Sequence, residues 1–75
     1  MIHVVDTHAL IWYLEDFEEL GAEARVILSA ATARLIVPTI VLAEARFLIA
    51  RKRTTVSWEE IVDAVEADAR FAVSP

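Results

Sequence analysis

The segment from Ile2 to Leu14, IHVVDTHALIWYL, decides how this chain of 75 residues folds. It begins with a short apolar run, Ile2 to Val5, that is rich in β-branched residues and stops at Asp6. A compact apolar pattern with helical spacing follows and continues through Leu14. The segment therefore predicts a strand that ends on an acid and leads directly into a helix.

Two interpretations of Asp6 follow from this placement. Ligands of open α/β sheets collect outside the carboxyl ends of the strands, so a carboxylate there is well placed for chemistry. The other interpretation is that Asp6 or Thr7 caps the helix, where it would satisfy free backbone N–H groups for about 1 kcal/mol. The residues of this segment leave both interpretations open.

The composition of the chain is more apolar than a domain of this size easily encloses. Hydrophobic residues make up 57% of it and the mean hydropathy is +0.50. A domain this small buries only roughly 60% of the surface that its unfolded chain exposes. We therefore expect a partner surface, and a homo-oligomer is one way to provide it.

A membrane does not provide that surface in our interpretation. Arg34, Glu44 and Arg46 interrupt the most apolar region before the roughly 20 uncharged residues that a spanning helix needs. No basic segment precedes the first apolar run, so we expect no signal peptide. The chain has no cysteine, which excludes disulfides and thiolate metal sites and is compatible with a cytoplasmic protein.

The net charge of −5 argues against a general nucleic-acid binder that is held by phosphate contacts. It does not exclude a nuclease, because catalytic acids themselves contribute negative charge that metal ions offset.

The remainder of the sequence predicts alternating helices and strands. Residues 15–19 form an acidic, solvated turn, and Ser57-Trp58-Glu59-Glu60 fits a helix capping box. The first predicted elements are a helix near residues 22–32 and a strand over 35–37. A helix that Thr39 caps follows and runs to about Arg53. The last elements are a helix after Ser57 and a strand that begins at Arg70. This β-α-α-β-α-α-β order is typical of a parallel α/β sheet, and we treat residues 1–75 as a single domain.

Glu44 is the second acid of interest. Its helical neighbours three and four residues away are all apolar: Ile40, Val41, Phe47 and Leu48. A carboxylate on such a face, if buried, needs a cation, a metal or a proton. The alternative is that Glu44 lies at the edge of the apolar stripe and reaches Arg51 or water.

Asp6 and Glu44 are more informative as a pair. Both lie just downstream of predicted buried strands, and right-handed crossovers bring such positions to the same edge of a parallel sheet. Mg²⁺ is usually held by one or two carboxylates together with water and substrate phosphate. Two acids at one edge are therefore chemically sufficient to begin a metal site.

The other polar and aromatic side chains favour structural interpretations. The acids after Glu44 (Glu59, Glu60, Asp63, Glu66 and Asp68) are expected on a solvated helix face. Arg51-Lys52-Arg53 is more typical of residues that complement a helix dipole than of an RNA contact. His3 and His8 lack a ligand cluster, and Trp12, Tyr13, Phe47 and Trp58 are expected in the core or in a subunit interface.

The sequence also resembles a known family. Residues 5–14 (VDTHALIWYL), Leu20-Gly21 with Ala24-Arg25, and Val37-Pro38 leading into Leu42-Ala43-Glu44 closely resemble the opening half of PIN-domain proteins of the VapC-like toxin type. The resemblance implies a PIN-like sheet and a metal-dependent endoribonuclease, the toxin of a toxin–antitoxin pair. It implies Asp6 and Glu44 as catalytic, metal-binding acids, Thr7 as an auxiliary residue, Mg²⁺ or Mn²⁺ as the cofactor, RNA as the substrate and a cognate antitoxin as a partner.

The chain also departs from that family. Family members are longer, and their remaining metal-site acids lie in the half that has no counterpart here. The family's sheet order also predicts that the first strand is left as an open apolar edge, which invites self-pairing. Two functions therefore stay open: a single-strand-directed ribonuclease whose site is completed by residues outside this chain, and a non-catalytic module that binds an antitoxin or another copy.

Overall fold

A computed structural model describes residues 2–15 and 17–75 of the chain. Its strands and helices follow one another in the predicted order. They are β1 (Ile2–Val4), α1 (Thr7–Glu15), a short 3₁₀ helix (Phe17–Glu19), α2 (Ala22–Ser29), β2 (Arg34–Pro38), α3 (Thr39–Ala50), α4 (Trp58–Ala67) and β3 (Phe71–Ser74). The predicted acidic turn thus contains a 3₁₀ turn, and its Asp16 lies outside the described residues.

The three strands form one parallel sheet in the order β1-β2-β3. In its register Val4 lies beside Ile36, and Ile36 lies beside Ala72. The predicted fold class, a small α/β unit with a parallel sheet flanked by helices, is confirmed. The first strand is at an edge of the sheet, as the family's sheet order led us to expect.

All four helices cover the same face of this sheet. Both crossovers step in the same direction, from β1 to β2 and from β2 to β3, and right-handed crossovers then place their helices on one side. Leu35 and Val37 on that side are completely buried. On the other side Ile2 is 67% exposed and Val4 70% exposed. The Cα extents of 33 × 27 × 18 Å agree with two layers, one of helices and one of strands.

The core lies between these two layers. Leu10 of α1, Leu35 and Val37 of β2 and Ile61 of α4 are its largest fully buried side chains. Each belongs to an apolar pattern in the sequence, and for this reason the sequence predicts the order of helices and strands correctly.

The aromatic residues divide between the core and the surface. Tyr13 and Trp58 are half-buried against the core, as predicted. Phe47 does not lie in the core, since its side chain is 55% exposed on the outer face of α3, and its place in a subunit interface stays a prediction. Trp12 is likewise exposed on α1. None of the described helices has the length and apolarity needed to cross a membrane.

The ends of the helices depend on local hydrogen bonds. The Ser57 cap is confirmed, since its Oγ accepts the Glu60 N–H at 3.1 Å. The predicted Thr39 cap is wrong: Thr39 is the first residue of α3, and the preceding Pro38 occupies the cap position without a side-chain hydrogen bond. The second helix ends at Ser29, earlier than predicted.

The third helix ends at Ala50, before the predicted Arg53, because Lys52 adopts a left-handed conformation with φ of 56°. The Lys52 N–H donates to the Ile49 carbonyl at 3.0 Å, and the Arg53 N–H donates to the Leu48 carbonyl at 2.9 Å. Left-handed residues commonly end helices in this way, but the residue is usually glycine, which has no Cβ to strain.

Arg70 joins three elements at the amino-terminal end of the sheet. Its Nη1 donates to the carbonyl oxygens of Leu28 and Ala30 at 2.8 Å each, and its Nη2 donates to the Tyr13 hydroxyl at 3.1 Å. The guanidinium thereby satisfies carbonyl groups at the end of α2 that have no helical partner.

Asp68 holds this guanidinium in place. Arg70 Nη2 donates to Asp68 Oδ2 at 2.7 Å and Nε donates to Oδ1 at 3.1 Å, with the two side chains 15% and 29% exposed. The hydrogen bonds from Arg70 lower the pKa of Asp68, and those to Asp68 raise the pKa of Arg70. Asp68 was predicted on a solvated helix face; that is wrong, because it follows α4 and pairs with Arg70.

We expect Asp68→Asn to lower the free energy of unfolding at neutral pH by about 2 kcal/mol, because it leaves the Arg70 charge without its counterion. The folded-state pKa of Asp68 lies below the ordinary value of 3.8. The carboxylate therefore stabilises the fold above that value, and its contribution is lost as the pH falls through the lower folded pKa.

Urea unfolding of both proteins from pH 7 downward measures this effect. The difference in unfolding free energy should narrow once the pH is below 3.8. Asp63→Asn, at an exposed acid of α4, is the matched control and should change stability by less than about 0.5 kcal/mol. A loss in Asp68→Asn that is the same at every pH would contradict an ionic contribution.

Lys52→Gly should stabilise the chain by about 1 kcal/mol, because glycine adopts a positive φ without Cβ strain. Lys52→Ala removes the same charge but keeps the Cβ, so it should give no such gain. Denaturant midpoints of the three proteins measure the difference. Equal stabilisation by both variants would assign the effect to charge instead of backbone conformation.

Candidate functional site

Asp6 lies at the carboxyl edge of the sheet, between the end of β1 and the start of α1. Its Oδ1 accepts the Ala9 N–H at 2.8 Å, so it caps α1. Its side chain is exposed, and its Oδ2 accepts no hydrogen bond from a described residue. The two interpretations of Asp6 are therefore compatible, since capping occupies one oxygen and leaves the other accessible to a ligand.

Thr7 is the first residue of α1 and, unlike Asp6, it is buried. Among the described residues, its hydroxyl makes no hydrogen bond to the Asp6 carboxylate. Thr7 packs beneath the first turn of α1, next to Asp6. An auxiliary part in a metal site stays a prediction.

Glu44 projects from the second turn of α3 into solvent. The idea that its apolar neighbours bury it is wrong, because α3 packs through Val41 and Ala45 and leaves the face around Glu44 uncovered. Ile40 on that face is 64% exposed. The side chain of Glu44 is therefore accessible to a ligand from outside the chain.

The alternative partner of Glu44, Arg51, is directed elsewhere. The Arg51 guanidinium carbon lies 4.7 Å from the centre of the Phe47 ring, a cation–π contact. Within the part of the chain that the structure describes, no ion pair joins Arg51 to Glu44. Glu44 thus has no neutralising cation among residues 2–15 and 17–75.

The two acids share one edge of the sheet but not one cavity. The helices α1 and α3 begin at the ends of the neighbouring strands β1 and β2 and pack against each other. Asp6 lines a shallow cavity of about 140 Å³ together with His3, Val5 and Ala9 and residues of α2, and Glu44 is not part of its lining. Among residues 2–15 and 17–75, no three His, Cys, Asp or Glu side chains are grouped closely enough to hold a metal ion.

The donor chemistry of this edge fits a hard divalent cation. Asp6 and Glu44 offer carboxylate oxygens, the ligand type that Mg²⁺ and Mn²⁺ prefer, and both side chains are open to solvent. Mg²⁺ usually completes its coordination with water and substrate oxygens. The residues present therefore suit such an ion in kind, while a full coordination set needs further ligands.

The basic residues 51–53 lie away from this edge. They follow the carboxyl end of α3, whereas Asp6 precedes the amino end of α1. Nearby, the Thr54 hydroxyl donates to the Glu15 carboxylate at the carboxyl end of α1. This placement agrees with the interpretation that residues 51–53 complement the helix dipole.

An aromatic pair beside Asp6 was missed in the sequence. The rings of His8 and Trp12 lie with their centroids 5.5 Å apart on the exposed side of α1. Their spacing of four residues on a helix, which brings side chains together, was the available signal.

Comparison with known proteins bears on what this edge of the sheet is for. A family model described as the PIN domain matches residues 3–75, while no curated protein and no solved structure matches the chain. PIN domains are generally a nuclease fold and typically use a divalent metal. Because the match extends over nearly all of its length, the chain belongs to the PIN domain family.

Proposed function

We propose that this chain supplies two of the metal-binding acids of a metal-dependent endoribonuclease of the VapC-like toxin type. The observation that carries the proposal is the placement of Asp6 and Glu44, exposed and on helices that begin at neighbouring strand ends, in a chain of the PIN domain family. Further carboxylates from outside these 75 residues complete the site.

Asp6 combines a structural and a chemical task in this proposal. The Ala9 N–H fixes one carboxylate oxygen and so orients the second toward solvent. The positive end of the α1 dipole lies beside it and favours negative charge at this position. The side chain is thereby held ready for a cation without a further protein contact.

Glu44, on α3, is the second metal-binding acid that this chain supplies in the proposal. It lies less than two helical turns from the end of β2, and no described basic residue competes for its carboxylate. A bound Mg²⁺ or Mn²⁺ would activate a water molecule and neutralise charge on the scissile phosphate of an RNA. The acidic net charge of −5 fits a chain that reaches RNA through a cation instead of a basic surface.

The toxin assignment adds a cognate antitoxin as a partner. Large apolar side chains are exposed on the described part of the chain, including Phe17 and Val26 around α2 and Ile40 and Phe47 on α3. Such side chains are typical of surfaces that a protein partner covers. The same observation favours the second candidate, a non-catalytic PIN module that binds an antitoxin or another copy but does not cleave RNA.

Asp6→Asn separates the two candidates. Asparagine caps helices as well as aspartate does, so the variant should keep its fold while it loses the charge that binds the cation. If the enzyme proposal is correct, cleavage of a mixed single-stranded RNA in Mn²⁺ should fall at least about a hundredfold. Glu44→Gln should act in the same direction.

Glu59→Gln is the matched control, because it removes one exposed carboxylate from α4, which has no part in the proposed site. Its cleavage rate should equal that of the unaltered chain. Calorimetric titration with Mn²⁺ adds a readout that does not need turnover, and Asp6→Asn should weaken the binding. Equal cleavage and equal Mn²⁺ binding by Asp6→Asn would refute the enzyme proposal. If the unaltered chain binds Mn²⁺ through Asp6 but does not cleave RNA, turnover needs the carboxylates from outside these 75 residues. If it neither binds Mn²⁺ nor cleaves RNA, the non-catalytic module is favoured.

A further inference from the structure

Glu15 joins the carboxyl end of α1 to the loop that follows α3. Its carboxylate accepts the Thr54 hydroxyl and the Thr55 N–H, the latter at 3.3 Å. Glu15 is the last residue of α1, and both threonines come after the end of α3. We call these two hydrogen bonds the Glu15 contact. It links the helix that Asp6 caps to the helix that carries Glu44.

The loop side of this contact is anchored in the core. The Val56 N–H donates to Thr54 Oγ1 at 3.2 Å, and the Val56 side chain is buried. The positive φ of Lys52 ends α3 just before this loop. Thr54 is therefore held by its neighbours in the loop while it donates to Glu15.

Strands hold the opposite ends of the same two helices. Helix α1 begins shortly after β1, and α3 begins directly after β2, which is the neighbour of β1 in the sheet. The two helices also pack against each other. The sheet therefore fixes their amino ends, and the Glu15 contact fixes their carboxyl ends relative to each other.

Both metal-binding acids follow the angle between these helices. The Asp6 carboxylate accepts the Ala9 N–H at 2.8 Å, so its direction follows the first turn of α1. Glu44 lies five residues after Thr39 in a helix of 12 residues, so a displacement of the carboxyl end of α3 moves Glu44 by roughly half as much. Functional groups must be held to within about 0.5 Å of their working geometry, and a change in the helix angle therefore affects a cation that both acids bind.

We propose that Glu15 and Thr54 are positioning residues, which hold the two metal-binding acids at the separation that one Mg²⁺ or Mn²⁺ ion needs. This inference rests on the proposed function. Neither positioning residue binds the ion itself. The nine residues of α1 place Glu15 about 13 Å from Asp6 along the helix, well beyond the roughly 2 Å of a metal–oxygen bond.

Calorimetric titration of the 75-residue chain with Mn²⁺ tests the proposal. Thr54→Val keeps the size of the side chain but removes the hydroxyl, and it should raise the dissociation constant of Mn²⁺ at least about threefold. Thr54→Ser keeps the hydroxyl and should bind Mn²⁺ as the unaltered chain does. Glu18→Gln is the matched control, because it removes an exposed carboxylate that accepts a hydrogen bond from Arg25, and it should leave the constant unchanged.

The same substitution in a Glu44→Gln background separates positioning from folding. If Thr54 acts by placing Glu44 relative to Asp6, Thr54→Val should change the dissociation constant less than about 1.5-fold once Glu44 no longer binds the ion. A general loss of folded protein would weaken binding equally in both backgrounds. An equal loss in both therefore overturns the proposal.

Hydrogen exchange at the Thr55 amide provides a readout on the unaltered chain, even if Thr54→Val fails to fold. Coupling between a contact and a binding site is reciprocal, so saturating Mg²⁺ should raise the protection of this amide at least about threefold. The Glu60 amide, which donates to Ser57 Oγ at the start of α4, is the control and should not change.

The outcomes distinguish this inference from the function on which it rests. Unchanged Mn²⁺ binding by Asp6→Asn refutes the proposed function and this inference with it. A loss of binding in Asp6→Asn without a loss in Thr54→Val refutes this inference alone. The inference is also overturned if the Thr55 amide gains no protection when Mg²⁺ binds through Asp6.

Discussion

The right-handed crossover is the constraint on which the rest of this structure depends. The strands follow one another across the sheet in one direction, so both crossovers place their helices on the same face. The same constraint starts α1 and α3 at neighbouring strand ends, which brings Asp6 and Glu44 to one edge. It also leaves Ile2, Val4 and Ala72 uncovered on the other face. The candidate site and the open surface thus have a common origin.

Local sequence patterns predicted the elements of this fold better than their ends. The order of helices and strands follows from the spacing of apolar residues, and the Ser57 cap follows from a hydrogen bond between residues three apart. The end of α3 could not be predicted from the sequence, because it depends on a positive φ at Lys52. Lysine, unlike glycine, does not indicate a positive φ. The role of Arg70 was also invisible, since its partners Tyr13 and Leu28 are distant in sequence.

The candidate site shows the same limit. The sequence indicated that Asp6 ends a strand and that Glu44 has apolar neighbours, and both statements hold. It could not indicate that Ile40 and Phe47 lie on the open side of α3 while Val41 is buried, because the side that is covered depends on where α1 packs. A pattern of side chains defines a helix face, but only tertiary packing decides whether that face is buried.

The carboxyl end of β1 is where the proposed site must be completed. Asp6 lies there, exposed, and its second carboxylate oxygen accepts no hydrogen bond from a described residue. Helices cover only one face of the sheet, so further carboxylates can reach Asp6 without displacing a helix. The constraint that brings Asp6 and Glu44 to one edge therefore also leaves that edge accessible to the ligands that complete the site.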